Sequence, residues 1–444
     1  MPSTFRTTLF VALAALLIPP GWYMHHRLSL FGAFRQSFQT ASSFVSSNSD
    51  DIFRIEGIFQ AEDLAYHESS GLVIVAGQGG WESRFRWWPA WAVFEDPSKA
   101  KDADGGLWVI DPKTWETTRL VLDGFDVPFV THGLDIHFEP SNLSSIYIYV
   151  VNHPPLLDPN THEPLPISDS RVEIFHLDLS SSPLTATHLR SVKHPLVQTP
   201  NDVVALSRDE FLVTNDHENR QGLKRSLEDF LTFSPNSKTT IVRVRVDLDD
   251  CNGGDVRAEV VLDGLHNANG LHRGPDGTIL HCDASGAVFT IFSLTRSTAD
   301  KDDTIKLTQL DSLAMPNTLD NPTYYVNSDS TPTYVLAGLL KGIKLDEYSR
   351  DPESKIPTGV WAVKKDQDGQ WVKKHLVEDD GEWVSGASVG MIIPIEQKED
   401  IREAGAQVVF EGGDIKEGRN KQGWLLVTGP YSRGIGVIKV DLDW

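Results

Sequence analysis

The chain has 444 residues, 40% of them hydrophobic and 23% charged, a balance typical of a folded soluble protein that excludes disorder over most of its length. Its formal net charge of −22 makes nucleic acids poor partners and suits divalent cations. The two cysteines, Cys251 and Cys282, exclude a multi-disulfide framework and a four-cysteine zinc site, and leave one bridge or two free thiols as alternatives.

The N-terminus carries a targeting pattern. Arg6 precedes an apolar run over residues 9–18, which is short for a spanning helix and typical of a secretory signal. No small-residue cleavage site follows, so residues 1–24 are predicted to be a signal peptide or an uncleaved anchor. We expect the secretory route, with the protein secreted or anchored and its folded domain on the lumenal or extracellular side. Membrane association through this segment stays open. The glycosylation sequon that begins at Asn142 fits this route.

Residues 25–50 are predicted to be a Ser-rich linker, and residues 51–444 a single all-β domain. Short apolar or alternating runs recur there between turn signals, with little helical periodicity. The turn sequences Pro275-Asp276-Gly277 and Asp366–Gly369 favour tight hairpins. The predicted strands are 71–76, 106–110, 145–151, 171–177, 210–214, 240–246, 278–282, 333–336, 359–363 and 424–427.

Polar clusters open several segments of this domain. One Asn or Asp pair by itself most often makes a turn. The inner strands of a β-propeller begin or end at the central channel, however. Polar clusters repeated at the entrances of such strands would therefore lie together around the axis. The clusters are Thr131-His132-Gly133-Leu134-Asp135, Pro200-Asn201-Asp202, Asn267-Ala268-Asn269-Gly270 and Leu319-Asp320-Asn321.

Two adjacent carboxylates, Glu62 and Asp63, precede the first predicted strand. Calcium takes six to eight oxygen ligands from carboxylates, amides, backbone carbonyls and water. Adjacent side chains on extended backbone point in opposite directions, so these two carboxylates are suited to two different ions.

Taken in order, these clusters resemble the paraoxonase/arylesterase family from about Asp51 to the C-terminus. The resemblance is carried mainly by the succession Val-Asn-His-Pro, Pro-Asn-Asp and Thr-Asn-Asp-His, which begin at Val151, Pro200 and Thr214. It implies a six-bladed β-propeller and a calcium-dependent hydrolase whose substrate is a small aryl ester or lactone.

The resemblance also implies two calcium ions and a histidine pair. A catalytic ion would be bound by Glu62, Asn201, Asn269, Asp320 and Asn321, and a structural ion by Asp63, Asp202 and the backbone carbonyl of Leu134. His132 and His153 correspond to the pair thought to activate water, while calcium would polarise the substrate carbonyl. His217 would support the structural ion from outside its ligand set.

Alternatives and departures remain. A gluconolactonase-like or strictosidine-synthase-like propeller would share the axial ligands without the histidine pair, and a non-enzymatic propeller would use its top face for binding. A serine hydrolase is disfavoured because no Gly-Xaa-Ser-Xaa-Gly elbow occurs.

The family's mammalian members join their termini by a disulfide, which the cysteine positions do not allow here, so closure must rest on strand pairing. The aromatic stretch 81–96 is interpreted either as a lid that meets a substrate or membrane, or as packing of an enlarged blade connection.

Overall fold

The computed structural model describes residues 21–45, 48–225, 228, 238–250, 254–297, 303–327, 329–395 and 421–444. Six large β-sheets surround a common axis and form the six-bladed β-propeller that was predicted. Two further two-stranded sheets lie in connections between the blade strands. A short α-helix occupies Leu345–Tyr348, and residues 21–30 are helical.

The strands, in chain order, are β1 Ile52–Glu56, β2 Phe59–His67, β3 Leu72–Gln78, β4 Trp87–Trp88, β5 Val93–Phe94, β6 Gly105–Asp111, β7 Glu116–Arg119, β8 Val121–Asp123, β9 Thr131–Glu139, β10 Asn142–Asn152, β11 Pro155–Leu157, β12 Pro164–Ser168, β13 Arg171–Asp178, β14 Thr185–Val192, β15 Pro200–Ser207, β16 Glu210–Asn215, β17 Thr239–Arg245, β18 Arg257–Leu265, β19 Ala268–Arg273, β20 Ile279–Asp283, β21 Val288–Ser297, β22 Thr304–Ala314, β23 Pro322–Val326, β24 Pro332–Leu339, β25 Thr358–Lys365, β26 Trp371–Asp379, β27 Val389–Pro394, β28 Gln422–Thr428 and β29 Gly434–Asp441.

Each blade contains four antiparallel strands, and blade 2 adds β8, which pairs in parallel with β14. Blades 1 to 5 have the strand orders β2-β3-β6-β7, β9-β10-β13-β14-β8, β15-β16-β17-β18, β19-β20-β21-β22 and β23-β24-β25-β26. Blade 6 combines β27, β28 and β29 with β1 from the other end of the chain. The first strand of each of blades 1 to 5 therefore starts at the same end of the propeller.

Strand pairing closes the propeller, as predicted. The antiparallel register of β1 and β29 runs from Ile52 opposite Ile438 to Glu56 opposite Gly434. Cys282 is a free, buried cysteine of β20. Cys251 lies outside the described residues, so its state stays a prediction.

Each of the ten predicted ranges overlaps a strand, and all ten strands are second or third strands of their blades. Their apolar runs are strong because both faces of a blade pack against neighbouring blades. One interblade cluster, for example, joins Val73 and Val75 of β3 to Leu426 and Val437 of blade 6, all of them fully buried. Burying such side chains contributes about 1.5–3 kcal/mol each.

The two predicted turns also occur where expected. Asp276 and Gly277, with φ of 55° and 72°, lie between β19 and β20, and Gly369, with φ of 74°, lies between β25 and β26. The left-handed backbone conformation explains the Asp and Gly residues at these corners.

The segment 21–45 packs against blades 4 and 5. Arg27 donates to the Ser285 carbonyl, and the Gln39 amide donates to Glu378 Oε1 at 2.8 Å. Ala41 is buried in the core between blades 5 and 6. No helix within the described ranges is both long and apolar enough to span a bilayer. Residues 1–20, most of the predicted signal or anchor, lie outside those ranges, so the proposed division into targeting segment, linker and propeller stays a prediction.

Replacing His281 of β20 by Leu is expected to make the protein more resistant to acid. His281 is fully buried, and neither ring nitrogen has a hydrogen-bond partner in the described part of the chain. Burial lowers its pKa from 6.5 to about 3. A base with a depressed pKa contributes stability above its unfolded-state pKa, and this contribution is lost at about 1.4 kcal/mol per pH unit as the pH falls from about 6.5 towards 3.

Denaturant unfolding at pH 7, 5.5 and 4.5 measures this effect. The wild type should lose stability more steeply than His281→Leu below pH 6.5, whereas His26→Leu, at an exposed histidine, should follow the wild type. Equal pH slopes for the wild type and His281→Leu would contradict the assignment.

Candidate active site on the propeller axis

The residues singled out from the sequence lie where inner strands begin. The structure places them as follows: Glu62 and Asp63 on β2, His132 and Leu134 on β9, Asn201 and Asp202 on β15, Asn269 on β19, Asp320 and Asn321 directly before β23, and His153 directly after β10. Since these strands share one axis and begin at one end of it, residues far apart in sequence meet there. Asn321 Nδ2, for example, donates to Glu62 Oε1 at 3.0 Å.

Two glycines permit the close approach of neighbouring blades at this end. A Cβ atom at Gly133 would lie 2.5 Å from Asp202 Oδ1, and one at Gly270 would lie 2.5 Å from Asn321 Cα. Both distances are shorter than any side chain allows, so glycine is required at both positions for this packing.

The first set of predicted ligands, which we call the upper group, is rich in buried oxygens without donors. It comprises Glu62, Asn201, Asn269, Asp320 and Asn321. Within the described chain, four oxygens of this group are buried without a hydrogen-bond partner, namely Glu62 Oε2, Asn201 Oδ1, Asn269 Oδ1 and Asn321 Oδ1. Buried polar atoms are nearly always satisfied, so four such acceptors in one place indicate a cation-binding site.

The composition of the upper group matters for the metal it suits. It offers two carboxylates and three carboxamides, which are oxygen ligands of the kind that calcium prefers. No cluster of three or more Asp, Glu, His or Cys side chains with metal-binding geometry occurs among the described residues. The upper group itself contains no His or Cys side chain.

The carboxylates on the axis repel one another. Burial, and then the charges of Asp320 and Asp63, raise the pKa of Glu62 well above its ordinary value, while Arg84 opposes the rise. Burial also raises the pKa of Asp320 well above the ordinary value, with further contributions from Asp63 and Asp216. A divalent cation would relieve both effects.

The second predicted set, the lower group, consists of Asp63, Asp202 and Leu134 and links neighbouring blades. Asp63 accepts the Leu64 and Leu134 amides at 2.8 and 2.9 Å. Asp202 accepts the Val203 and Leu271 amides at 2.7 and 2.6 Å. All four carboxylate oxygens of the lower group therefore have backbone donors. Burial nevertheless raises the pKa of Asp63 to about 7.

The two predicted histidines are in direct contact. His132 Nδ1 lies 3.0 Å from His153 Nε2, and His153 Nδ1 lies 2.8 Å from Ser170 Oγ. His132 Nε2 is 3.9 Å from Glu62 Oε1, which places the pair beside the upper group. Burial is the main cause that lowers the pKa of both rings, that of His153 to about 3. Both rings are therefore neutral near pH 7, and one nitrogen of His132 faces the upper group.

Asp216 connects His217 to the upper group. The two oxygens of Asp216 contact different partners: Oδ1 lies 2.9 Å from His217 Nδ1, and Oδ2 accepts a bond from Asn201 Nδ2 at 3.4 Å. Burial would raise the pKa of Asp216, but His217 and Arg225 outweigh it and hold that pKa below its ordinary value. His217 thus contacts Asp216, which reaches Asn201 of the upper group, and its support of a structural ion stays a prediction.

The aromatic stretch packs inward over the histidine pair. The segment from Trp81 to Ala103, which we call the covering segment, joins β3 to β6 and contains β4 and β5. Trp88 is fully buried, and its ring lies edge-on to His132 and His153 at centroid distances of 4.9 and 5.5 Å. Trp87 Nε1 donates to the His153 carbonyl at 2.8 Å. The aromatic residues of the stretch also form one core cluster with Tyr431 and Ile356.

A cavity opens beside His153, between the covering segment and blades 2 and 3. His153, Ser170 and Asp216 lie on one side of it, and Ala90 and Phe94 of the covering segment lie on the other. His153 and Ser170 therefore border a cavity beside the covering segment.

Four residues of the site were not identified from the sequence: Arg84, Trp88, Ser170 and Asp216. Asp216 was part of a matching string, and the density of tryptophans around residue 88 was noted. Neither pattern shows which side chains turn towards the axis, because that depends on how the covering segment folds back over the blades.

The profile of the arylesterase family matches residues 97–389, which is more than half of the chain. The chain belongs to the arylesterase family. The matched range contains every predicted site residue except Glu62 and Asp63. Membership supports a hydrolase activity on esters or lactones.

The arylesterase relatives share modest identity with this chain. Bovine serum paraoxonase/arylesterase 2 is 26% identical over 308 residues, or 66% of this chain and 73% of that protein. Human serum paraoxonase/arylesterase 2 is 28% identical over 236 residues, or 50% of this chain and 55% of that protein. Rat serum paraoxonase/lactonase 3 is 32% identical over 125 residues, or 27% of this chain and 31% of that protein.

Solved structures resemble this family member only distantly. A PQQ-bound aldose sugar dehydrogenase from Streptomyces coelicolor has a TM-score of 0.43 and 11% identity, covering 88% of this chain and 97% of that one. Virginiamycin B lyase from Staphylococcus aureus has a TM-score of 0.36 and 7% identity, covering 88% and 99%.

Proposed function

We propose that this member of the arylesterase family is a calcium-dependent hydrolase of aryl esters or lactones. The observation that carries the proposal is the set of four buried acceptor oxygens without donors on Glu62, Asn201, Asn269 and Asn321, next to a pair of neutral histidines. With Asp320, these residues would hold the catalytic ion. The chemistry that a bound calcium supplies is polarisation of the substrate carbonyl.

The histidines would accept the proton that the attacking water loses. His132 Nδ1 is engaged with His153 Nε2, which leaves His132 Nε2 as the nitrogen that faces Glu62 and the upper group. A neutral imidazole at that position accepts a proton from water. His153, held by Ser170, fixes the ring orientation of His132.

The lower group would hold a second, structural ion. Asp63 and Asp202 are buried and belong to blades 1 and 3, while Leu134 belongs to blade 2. An ion bound by both carboxylates and the Leu134 carbonyl would tie three blades together at the axis. The backbone donors already present on both carboxylates make this assignment secondary to the upper group.

Two other functions were considered from the sequence. A gluconolactonase-like or strictosidine-synthase-like propeller would use the axial ligands without a histidine pair, whereas here His132 Nδ1 and His153 Nε2 lie 3.0 Å apart. A binding propeller would not need that pair either. The contact between His132 and His153 therefore favours hydrolysis.

Chelation of calcium tests the function most directly. The purified full-length protein is assayed against a panel of lactones, aryl esters and organophosphates, before and after complete chelation, and after calcium is restored. We expect activity on lactones or aryl esters to disappear with the metal and return with calcium but not with magnesium, which demands a smaller octahedral site. Hydrolysis that persists after full chelation would refute the proposal.

We further propose that the protein enters the secretory route through residues 1–24 and carries a glycan at Asn142. Asn142 is exposed at the start of β10, at the end of that strand opposite His153. A glycan there would leave access to the axial site unobstructed. A mobility shift on enzymatic deglycosylation of the secreted or membrane-bound protein would demonstrate it.

A further inference from the structure

Arg84 is a fully buried guanidinium at the edge of the candidate active site. Its Nη2 donates to the Thr131 carbonyl at 2.9 Å and its Nη1 to the Pro430 carbonyl at 3.2 Å. Among the described residues, no carboxylate lies within ion-pair distance of it, and its Nε has no hydrogen-bond partner. Burying a cation without a paired anion destabilises the folded state. Arg84 is therefore expected to have a role other than stabilising the fold.

Trp88 contacts both this cation and the histidine pair. The Arg84 guanidinium lies 3.7 Å from the centroid of the Trp88 ring, a cation–π contact in a desolvated setting. The same ring makes edge-to-face contacts with both His132 and His153. Arg84 also holds the carbonyl of Thr131, the residue directly before His132. Both imidazoles are therefore packed against a unit that the covering segment supplies.

The charge of Arg84 also reaches the upper group. Burial lowers the pKa of Arg84 to about 9, so that the guanidinium remains protonated near pH 7. It acts on Glu62, whose pKa it lowers. Asp63 and Asp216 add negative charge beside Glu62 and Asp320 of the upper group, and Arg84 offsets part of it. A positive charge near the site favours the oxyanion that forms when water attacks a carbonyl.

We propose that Arg84 and Trp88 form a positioning unit of the active site, which orients the histidine pair and offsets part of the negative charge at the upper group. The inference rests on the proposed function and concerns a part of the chain outside the predicted ligands and histidines. It makes the covering segment a working part of the site, since the segment supplies both side chains.

Three substitutions in the covering segment test the two roles separately. Arg84→Met removes the charge and the donors at similar length, whereas Arg84→Lys keeps the charge and loses the planar fork that reaches two carbonyls. Arg86→Met is the matched control, because Arg86 is exposed and paired with Glu95. The measurements are kcat and KM on a substrate of the wild type, calcium affinity by calorimetry, and the thermal midpoint.

For Arg84→Met we expect kcat to fall by about 100-fold with KM changed by less than about threefold, since misplacing a catalytic group slows the chemical step. Calcium should bind as tightly as to the wild type or more tightly, because a nearby positive charge has been removed. Arg84→Lys should keep the wild-type calcium affinity and still lose kcat, and Arg86→Met should match the wild type. Added guanidinium should restore part of the kcat of Arg84→Ala.

Parallel losses of kcat and calcium affinity in Arg84→Met, together with no rescue of Arg84→Ala by guanidinium, would overturn the inference and assign Arg84 a purely structural role. An unchanged kcat would overturn it as well. If Arg84→Met does not fold, Arg84→Lys and Trp88→Phe provide the test. A positioning unit predicts that both of these substitutions lower kcat, and a wild-type kcat in either would contradict it. Absence of calcium-dependent hydrolysis in the wild type would instead refute the proposed function, and the calcium affinities of the same variants would still test the charge of Arg84.

Discussion

Glu62→Gln is expected to lower kcat for lactone or aryl ester hydrolysis by about 10²- to 10³-fold, the range seen when one preorganised electrostatic group is removed from an active site. Glu62 Oε2 is buried without a donor, and Oε1 accepts Asn321 Nδ2. Gln has the same shape but replaces one acceptor by an amide donor and removes the charge. The upper group would then present a donor where a cation needs an oxygen ligand.

The position of residue 62 should survive this substitution, because main-chain contacts hold it. Ser388 and Thr428 of blade 6 both donate their hydroxyls to the Glu62 carbonyl. The loss of activity should therefore come with weaker calcium binding and an intact fold. Calorimetric titration with calcium and steady-state kinetics measure the two effects.

Glu68→Gln provides the matched control for this change. Glu68 is exposed just beyond the other end of β2, so the same chemical change there should leave activity and calcium binding as in the wild type. Full activity in Glu62→Gln at saturating calcium would contradict the placement of Glu62 in the upper group.

Removal of calcium is expected to destabilise the folded protein strongly. At a free calcium concentration a thousand times the dissociation constant, one site contributes about 4 kcal/mol to folding. Without the ion, Glu62, Asp63 and Asp202 remain buried beside the partly buried Asp320, with each pKa raised chiefly by desolvation. Thermal unfolding with chelator and with calcium measures the difference.

The metal-free protein should also respond to pH in an unusual direction. A carboxyl whose folded-state pKa exceeds its unfolded-state pKa favours folding at low pH and loses that contribution as the pH rises between the two values. For Asp63 the window runs from 3.8 to about 7. The stability of the chelated protein relative to that of the calcium-bound protein should therefore fall as the pH rises across this window, because the opposite contribution of His281 is common to both forms.

Asp320→Asn should reduce the difference in stability between the calcium-bound and the metal-free protein. It removes one of the mutually repelling carboxylates, so the metal-free variant should be at least as stable as the metal-free wild type. Calcium should stabilise this variant less than it stabilises the wild type. Asp276→Asn, in the turn between β19 and β20, is the control and should behave as the wild type in both conditions. A variant that is less stable than the wild type without calcium would show that repulsion at the axis is not what the ion relieves.

The sequence predicted the strands that are apolar on both faces and left the others undetected. The second and third strands of the blades follow a local pattern, since they are buried between neighbours. Inner strands such as β15 and β19 begin with the polar residues of the site, which interrupt the apolar pattern there. The outer strand β1 could not be assigned to blade 6 from its own composition, because its partner β29 lies at the far end of the chain.

The clusters at Glu62, Asn201, Asn269 and Asp320 could be identified as a candidate set from the sequence, since their residue types, order and family resemblance are local properties. Their convergence depends on the closure of the propeller, which brings Asn321 to Glu62 across 259 positions. The inward direction of Arg84 and Trp88 was likewise decided only by the tertiary structure. Hydrophobic periodicity reports on the neighbours of a residue along its own strand, whereas the direction of an irregular segment is set by the surface on which it folds.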